Sequence, residues 1–430
     1  MAKKIEKQPR EYTKRQLSHA KKAARRQKIY LFSGIGVIVV VIILALSGWL
    51  FGEYLPMNKT IVTVGGDTIK EKDLIDTAVL YSQFQSGTDI TQQLDYILQT
   101  MIQNLIIKQE ASNLGYTVSK QELSDALKSD TGKPSQAYKD LVSASLLSQK
   151  LRKEYFDKQV PDSGNQVLMN AMLVESSEVA EKVRAQVLAG DNFTKLVNQY
   201  AVNKVSKDNG GIFDWHPQDI LNTTITSSIP ADWAFSENVT KGMVSDPLSD
   251  NVSTKQLGYW LIKVDEPVTK GEGSDSSANI SAILLASEAQ AIDFRAQLEA
   301  GADLGTMADA FSQYSPSKEA HGNWVVAESS NISTPFNSFA FDPNTKVGEW
   351  SQPIKDTLFW TTGGDWIVQL VDKSTDHPYS AADKSTLIDK LYSNWSNALW
   401  TSSSSNVKDT FADAERAQAI SKINARVGKK

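Results

Sequence analysis

The side chains usually recruited for bond chemistry are few in this chain and far apart. It has 430 residues and no cysteine, so disulfides and a thioether lipid anchor are excluded and its folded parts are held by their cores alone. The four histidines, His19, His216, His321 and His377, share no motif, and His321 sits in a Gly-bearing turn where a solvated loop residue is the simple reading. What does recur at a fixed spacing is apolar. Ile225 and Ile229, and again Ile332 and Phe336, stand four apart, ahead of Ala-Phe pairs ending in Phe235 and Phe341. Trp260 and Trp366 each follow a Gly by two residues. These residues either fill cores or form the walls and aromatic edges of a groove that binds extended segments rich in aromatic and Pro residues.

The elements that position them are written twice. The run from Asn170 lies over the run from Ser281, so that Gly190 meets Gly301, Phe193 meets Leu304, Tyr200 meets Phe311 and Gly211 meets Gly322. After a short deletion, Trp233-Ala234-Phe235 meet Phe339-Ala340-Phe341, Gly242 meets Gly348, Pro247 meets Pro353 and Gly258 meets Gly364. Two copies of one domain of about 100 residues are expected, too long for a solenoid unit. Each opens on a strand, Ala171 to Val174 or Ala282 to Leu285. A helix follows, with apolar residues three and four apart, stopped by Gly190 or Gly301. Each closes on a strand, Tyr259 to Val264 or Trp366 to Val371.

This order of elements resembles the parvulin family of peptidyl-prolyl isomerases: strand, Gly-stopped helix, aromatic helix, Gly-Gly turn, Ala-Phe helix, a "G.VS.P" turn and the final GYWLIKV strand. The resemblance implies an α+β fold with a four-stranded antiparallel sheet wrapped by helices, in two domains, 165–268 and a degenerate 279–374, joined by a linker at 269–278. It implies rotation of an X-Pro amide over a barrier of about 18–20 kcal/mol, with no cofactor and no metal. It also implies a polar set, a His on the first strand, a His on the last strand and an Asp or Cys before the Gly-Gly turn. Here those places hold Ala171, Asn203 and Trp260 in one copy and Ala282, Tyr314 and Trp366 in the other, so catalytic residues are not assigned. Where the family places apolar residues around the Pro ring, this chain offers Ile332, Phe336, Phe341 and Trp366, with Ile225, Ile229 and Phe235 as the counterparts in the first copy.

The remainder suggests where such a protein works. Residues 29–51 carry no charge over 23 positions, and residues 1–28 hold eleven Lys or Arg against two Glu. A single transmembrane helix with a cytoplasmic basic segment is expected, contacting the lipid bilayer and leaving the bulk of the chain outside the cytoplasm. Ala45-Leu46-Ser47 offers a cleavage site, but the long basic lead favours an uncleaved anchor. Beyond the lead the net charge is −14, which argues against nucleic acid as a partner. Between Val64 and Leu123 the string VGGDTI…LDYILQTMIQNLIIKQEASNLGYTVSKQEL resembles the amino-terminal module of SurA-type and PrsA-type chaperones, giving a largely helical module at 58–160. A helical segment at 380–430 is expected, with a helix and short strand returning to complete that module. The resemblance implies a folding factor for unfolded or prolyl-containing exported polypeptides, with isomerase activity weak or lost. An active isomerase and a non-catalytic scaffold of an envelope or secretion complex are the alternatives.

Overall fold

The computed structural model describes residues 37–50, 54–84, 89–128, 134–270, 275–403 and 406–428. They form two units, one of residues 1–159 with 389–430 and one of residues 160–388.

In the first unit, a β-rich run at Thr60–Val64 (β1) turns at Gly65-Gly66 and pairs antiparallel with Asp67–Lys70 (β2). Gly65 has φ +56°, and a Cβ there would lie 3.2 Å from Gln109 Oε1, so the turn requires the conformational freedom of Gly. The Gln109 amide secures the hairpin by donating to the Val64 carbonyl and the Asp67 carboxylate. The other edge of β1 is paired by Val407–Asp409 from the far end of the chain. Helices α1 (Glu71–Phe84) and α2 (Leu94–Asn113) bury Leu74, Ile75, Ile97 and Ile102 at helical spacing against β1. Phe411, Ala419 and Ile423 enter the same core. Helix α3 (Lys120–Ala126) starts at a capping box of Ser119 and Glu122, and α4 (Gln136–Leu151) starts at Ser135.

The expected transmembrane helix is corrected. Among the described residues no helix is long and apolar enough to cross a membrane. Residues 37–50 are helical. Residues 29–36 and 51 of the expected span, and the basic segment 1–28, lie outside the described residues.

The second unit holds two antiparallel sheets whose strands are not taken in sequence order. One runs β4-β3-β11-β5, from Ser163–Val174 (β3), Ile212–His216 (β4), Leu248–Lys255 (β5) and Thr361–Pro378 (β11). The other runs β10-β6-β8-β7, from Gly258–Val264 (β6), Thr269–Lys270 (β7), Ser276–Leu285 (β8) and Ile354–Asp356 (β10), with Asn323–Ala327 (β9) also on β8. Only Gln256 and Leu257 separate β5 from β6, yet the two enter different sheets. The final strand expected to close the first domain, β6, pairs with β8; the one expected to close the second, β11, pairs with β3 from Pro378↔Ser163 to Asp365↔Val174.

Two consecutive parvulin-like domains are therefore corrected to one interleaved unit. The local sequences do not distinguish the two strands, because each makes the same contacts in the sheet it joins. Trp260 donates its indole N–H to Asp356 at 3.0 Å and Trp366 donates to Asp250 at 2.9 Å. Ser351 Oγ accepts from Ile262 N and Ser245 Oγ from Val368 N, both at 3.0 Å. The crossing itself is tight. Thr361 Oγ donates to the Leu257 carbonyl, and the buried Lys255 ammonium donates to the Gly363 carbonyl. At Gly364, φ +154°, a Cβ would lie 2.6 Å from the Val174 carbonyl oxygen, so a side chain there would push β11 off β3.

Candidate functional site

Around Trp260 the second sheet gathers an aromatic cluster. Strand β6 carries Trp260 into full burial beside Ala282 of β8, and the helix Thr334–Ala340 lays Phe336 across it. Ring centroids of Phe336, Tyr314 and Phe359 lie 4.8, 5.2 and 5.7 Å from that of Trp260, all close to perpendicular, the edge-to-face packing that aromatic quadrupoles favour. Trp324 joins at 6.4 Å from both Tyr314 and Phe336. Tyr314, Trp324, Ile332, Phe339, Phe341 and Phe359 are only partly buried, so the cluster has a closed floor and a partly open edge.

The floor is held by a buried carboxylate. Asp356 accepts from Trp260 Nε1, from the Leu358 N–H at 2.8 Å and from the Ser333 hydroxyl, and Ser333 caps the helix that bears Phe336. One buried anion thus fixes the indole, the helix start and the 357–360 connection together. Polar capacity toward a ligand is small. Ala282 spends its backbone on Gly322 and Ser317, and the Trp260 N–H is committed to Asp356. The Tyr314 hydroxyl has no hydrogen-bond partner among the described residues, and burial pushes its pKa up, which keeps it a neutral donor at physiological pH.

The first sheet builds a corresponding centre on Trp366, fully buried with Ala171 and Ile225 and flanked by partly buried Ile229 and Phe235. Asp250 accepts from Trp366 Nε1, from the hydroxyls of Ser227 and Ser253, and from the backbone N–H groups of Val252 and Ser253. Burial alone would raise its pKa, but the hydrogen bonds prevail and hold it at about 2. Asn203 is buried, with its Oδ1 unpartnered among the described residues.

The predicted site residues are thus regrouped. The structure brings Trp260 together with Ala282, Tyr314, Ile332, Phe336 and Phe341, and Trp366 together with Ala171, Ile225, Ile229 and Phe235. It parts Trp366 from Ile332, Phe336 and Phe341, with which it was read as one groove, and Trp260 from Ala171. Ile225, Phe336 and Trp366 are fully buried and act as core, whereas Ile229, Phe235, Ile332 and Phe341 retain partial exposure. Sequence reasoning overlooked Asp250 and Asp356. A signal is present in the sequence: Asp250 and Asp356 stand 106 residues apart, the same spacing as Trp260 and Trp366, and each precedes a Trp by ten residues.

Comparison with known proteins follows these two units. A family model of the SurA-like N-terminal domain matches residues 24–160, and a model of the PPIC-type PPIase domain matches residues 279–362. The chain is 27% identical over 283 residues to a parvulin-like PPIase of Rickettsia prowazekii (strain Madrid E), covering 61% of this chain and 92% of that protein. It is 24% identical over 233 residues to the foldase protein PrsA of Caldanaerobacter subterraneus subsp. tengcongensis, covering 50% and 72%. Among solved structures it is similar to the peptidylprolyl isomerase PrsA of Bacillus cereus, with 12% identity, a TM-score of 0.30 and coverage of 85% of this chain and 99% of that one. The PPIC match falls on one stretch, which bears the Tyr314, Phe336 and Asp356 side of the aromatic cluster. The chain carries a SurA-like amino-terminal domain and one PPIC-type domain, and its relatives include a parvulin-like PPIase and a PrsA foldase.

Proposed function

We propose that this protein is a foldase that acts outside the cytoplasm on exported polypeptides, holding prolyl and aromatic segments at the Trp260 cluster and turning X-Pro bonds only slowly. The observation that carries the reading is the balance of groups at that cluster: a closed aromatic floor with apolar edges, and one tyrosine hydroxyl where the family's polar set would stand. Ile332 and Phe341 form the exposed edge that receives the chain. The amide to be twisted has an uncatalysed lifetime of tens to hundreds of seconds, so a modest gain is measurable. An apolar enclosure favours the twisted amide, which has lost resonance and charge separation, over the planar one. The Tyr314 hydroxyl can donate to it, and Ala282 and Trp260 cannot. Each apolar anchor that becomes fully buried contributes about 1.5–3 kcal/mol before ordering costs, which gives micromolar or weaker, readily reversible binding.

Line-shape or exchange NMR on a short X-Pro peptide tests this with the full chain. Acceleration should be detectable, weak and further reduced by Tyr314→Phe. Fast turnover that Tyr314→Phe leaves intact would assign the chemistry to another group, and absence of both turnover and client binding would refute the foldase reading.

A further inference from the structure

Each sheet of the second unit is closed by a strand from the other repeat, and the two slots are lined alike. Gly258 enters the second sheet against Leu284, where a Cβ would lie 2.8 Å from Cδ1, and Gly364 enters the first against Leu173, where a Cβ would lie 3.1 Å from Cδ1. Leu173 and Leu284 are one and the same position of the repeat. Further along, Lys263 stands opposite Ser281 and bridges to Trp350, while Gln369 stands opposite Asn170 and bridges to Val244, again position for position. Together with the matched Asp356 and Asp250, and Ser351 and Ser245, these contacts give neither strand a preference for its slot. Preference resides at the crossing, where the Thr361 and Lys255 bonds tie the two strands and where the connection itself resists turning back. Were β6 to fold back beside β5, Gln256 and Leu257 would have to form a two-residue hairpin loop. Such loops are I′ or II′ turns that need positive φ, supplied by Asn, Asp or Gly, and this pair contains none of them. Leu257 instead runs on into the second sheet, where it is buried with Leu261, Ile283, Leu285 and Phe294. A short connection that cannot turn favours strand exchange.

We propose that the Gln256-Leu257 connection is the device that fixes the exchange, and through it which tryptophan, Trp260 or Trp366, floors the aromatic cluster beside Phe336. The slots themselves accept either strand, and the unmodified chain holds the exchanged arrangement alone. Nothing in this depends on X-Pro turnover or on a client.

The chain has no cysteine, so engineered pairs report the strand pairing in the full-length protein. Residues directly opposite on neighbouring antiparallel strands bring their Cβ atoms to about 4.5–5.5 Å, close to the span a disulfide closes. After mild oxidation of the folded protein, Lys263→Cys/Ser281→Cys should cross-link fully and Lys263→Cys/Asn170→Cys not at all. In the background Gln256→Asn/Leu257→Gly, which supplies a type I′ turn, the two results should trade places. Because Leu257 is also core, a second background inserts Asn-Gly between Gln256 and Leu257 and keeps the leucine; the same trade should appear there. A folded turn variant that still cross-links position 263 to 281 overturns the proposal, since the strands or the crossing bonds, and not the connection, would then make the choice. So does loss of folding in both backgrounds, because equivalent slots require the returned arrangement to be stable. A disulfide between positions 170 and 263 in the unmodified background overturns it too, since the connection would then not fix the exchange.

Discussion

The two tryptophans at the heart of the second unit share an anchor and differ in their surroundings. Trp260 and Trp366 are both fully buried and both give their indole N–H to a buried aspartate. Trp260, however, is packed edge-on by Tyr314, Phe336 and Phe359, with Ile332 and Phe341 partly open beside it. Trp366 lies among Val167, Met169, Leu173, Leu221 and Ile225, with no aromatic ring stacked on it among the described residues and with Ile229 and Phe235 partly open nearby. An identical hydrogen-bonded tryptophan therefore serves as the floor of a candidate groove in one sheet and as plain core in the other. What separates them is the ring of neighbours, a property of packing that the tryptophan's own flanking sequence does not carry.

Breaking the closed centre should have the largest effect. Trp366→Ala removes a fully enclosed side chain and should cost about 3–5 kcal/mol in denaturant unfolding of the second unit, as expected for an aromatic deletion in a core. Phe341→Ala, at the open edge of the other cluster, should instead shift Tm by no more than a few degrees while lowering affinity for an aromatic-rich client several-fold. Equal loss of stability in both would erase the distinction between groove and core. Unchanged client binding in Phe341→Ala would move the client surface elsewhere.

Acid should sharpen the comparison next. Asp250 ionises at about 2 in the folded chain and near 3.9 when unfolded. Its pKa is depressed by folding, so its contribution is complete above about pH 4 and is lost as pH falls toward 2. Unfolding curves between those limits should show that slope, and Asp250→Asn should flatten it. A slope that persists unchanged in Asp250→Asn would mean that other carboxylates carry the acid sensitivity.

The smallest effect is expected at the strand crossing. Lys255 is buried, and that burial lowers its pKa to about 8 against roughly 10.4 unfolded, with Glu175 and Asp365 opposing the shift. Because the unfolded chain binds the extra proton between those values, stability should rise gently from pH 8 to 10 and then fall, as Tyr259, whose pKa burial and Glu175 push upward, keeps in the folded chain a proton that the unfolded chain has lost. Lys255→Met should remove the rise, and a Tm that climbs equally in the variant would exclude Lys255 as its source.

The sequence by itself determined the local elements and the apolar periods. The helices Ser177–Leu188 and Glu288–Glu299 lie where the three-and-four spacing and the stopping glycines put them, and on the hydrophobic face from Leu94 to Ile106 all but the partly buried Met101 and Leu105 are buried. It also marked the SurA-like and parvulin resemblances, because those rest on the order of strands, turns and helices along the chain. The uncharged run at 29–51 misled as to a spanning helix, since absence of charge sets only an upper limit on a span, and no described helix is long and apolar enough to cross a membrane. Only the tertiary structure decided which sheet β6 and β11 would join. Both strands carry Gly-x-Trp, both find an aspartate for the indole and a serine for the backbone, and hydrogen-bond ladders are indifferent to sequence distance. The choice is made by the crossing at Lys255, Leu257, Thr361 and Gly364, and its reason is steric and electrostatic: a Cβ-free contact with Val174 and a buried ammonium with a carbonyl to receive it. No period in the sequence reports such a contact, because its two sides lie more than a hundred residues apart and neither has a patterned partner nearby.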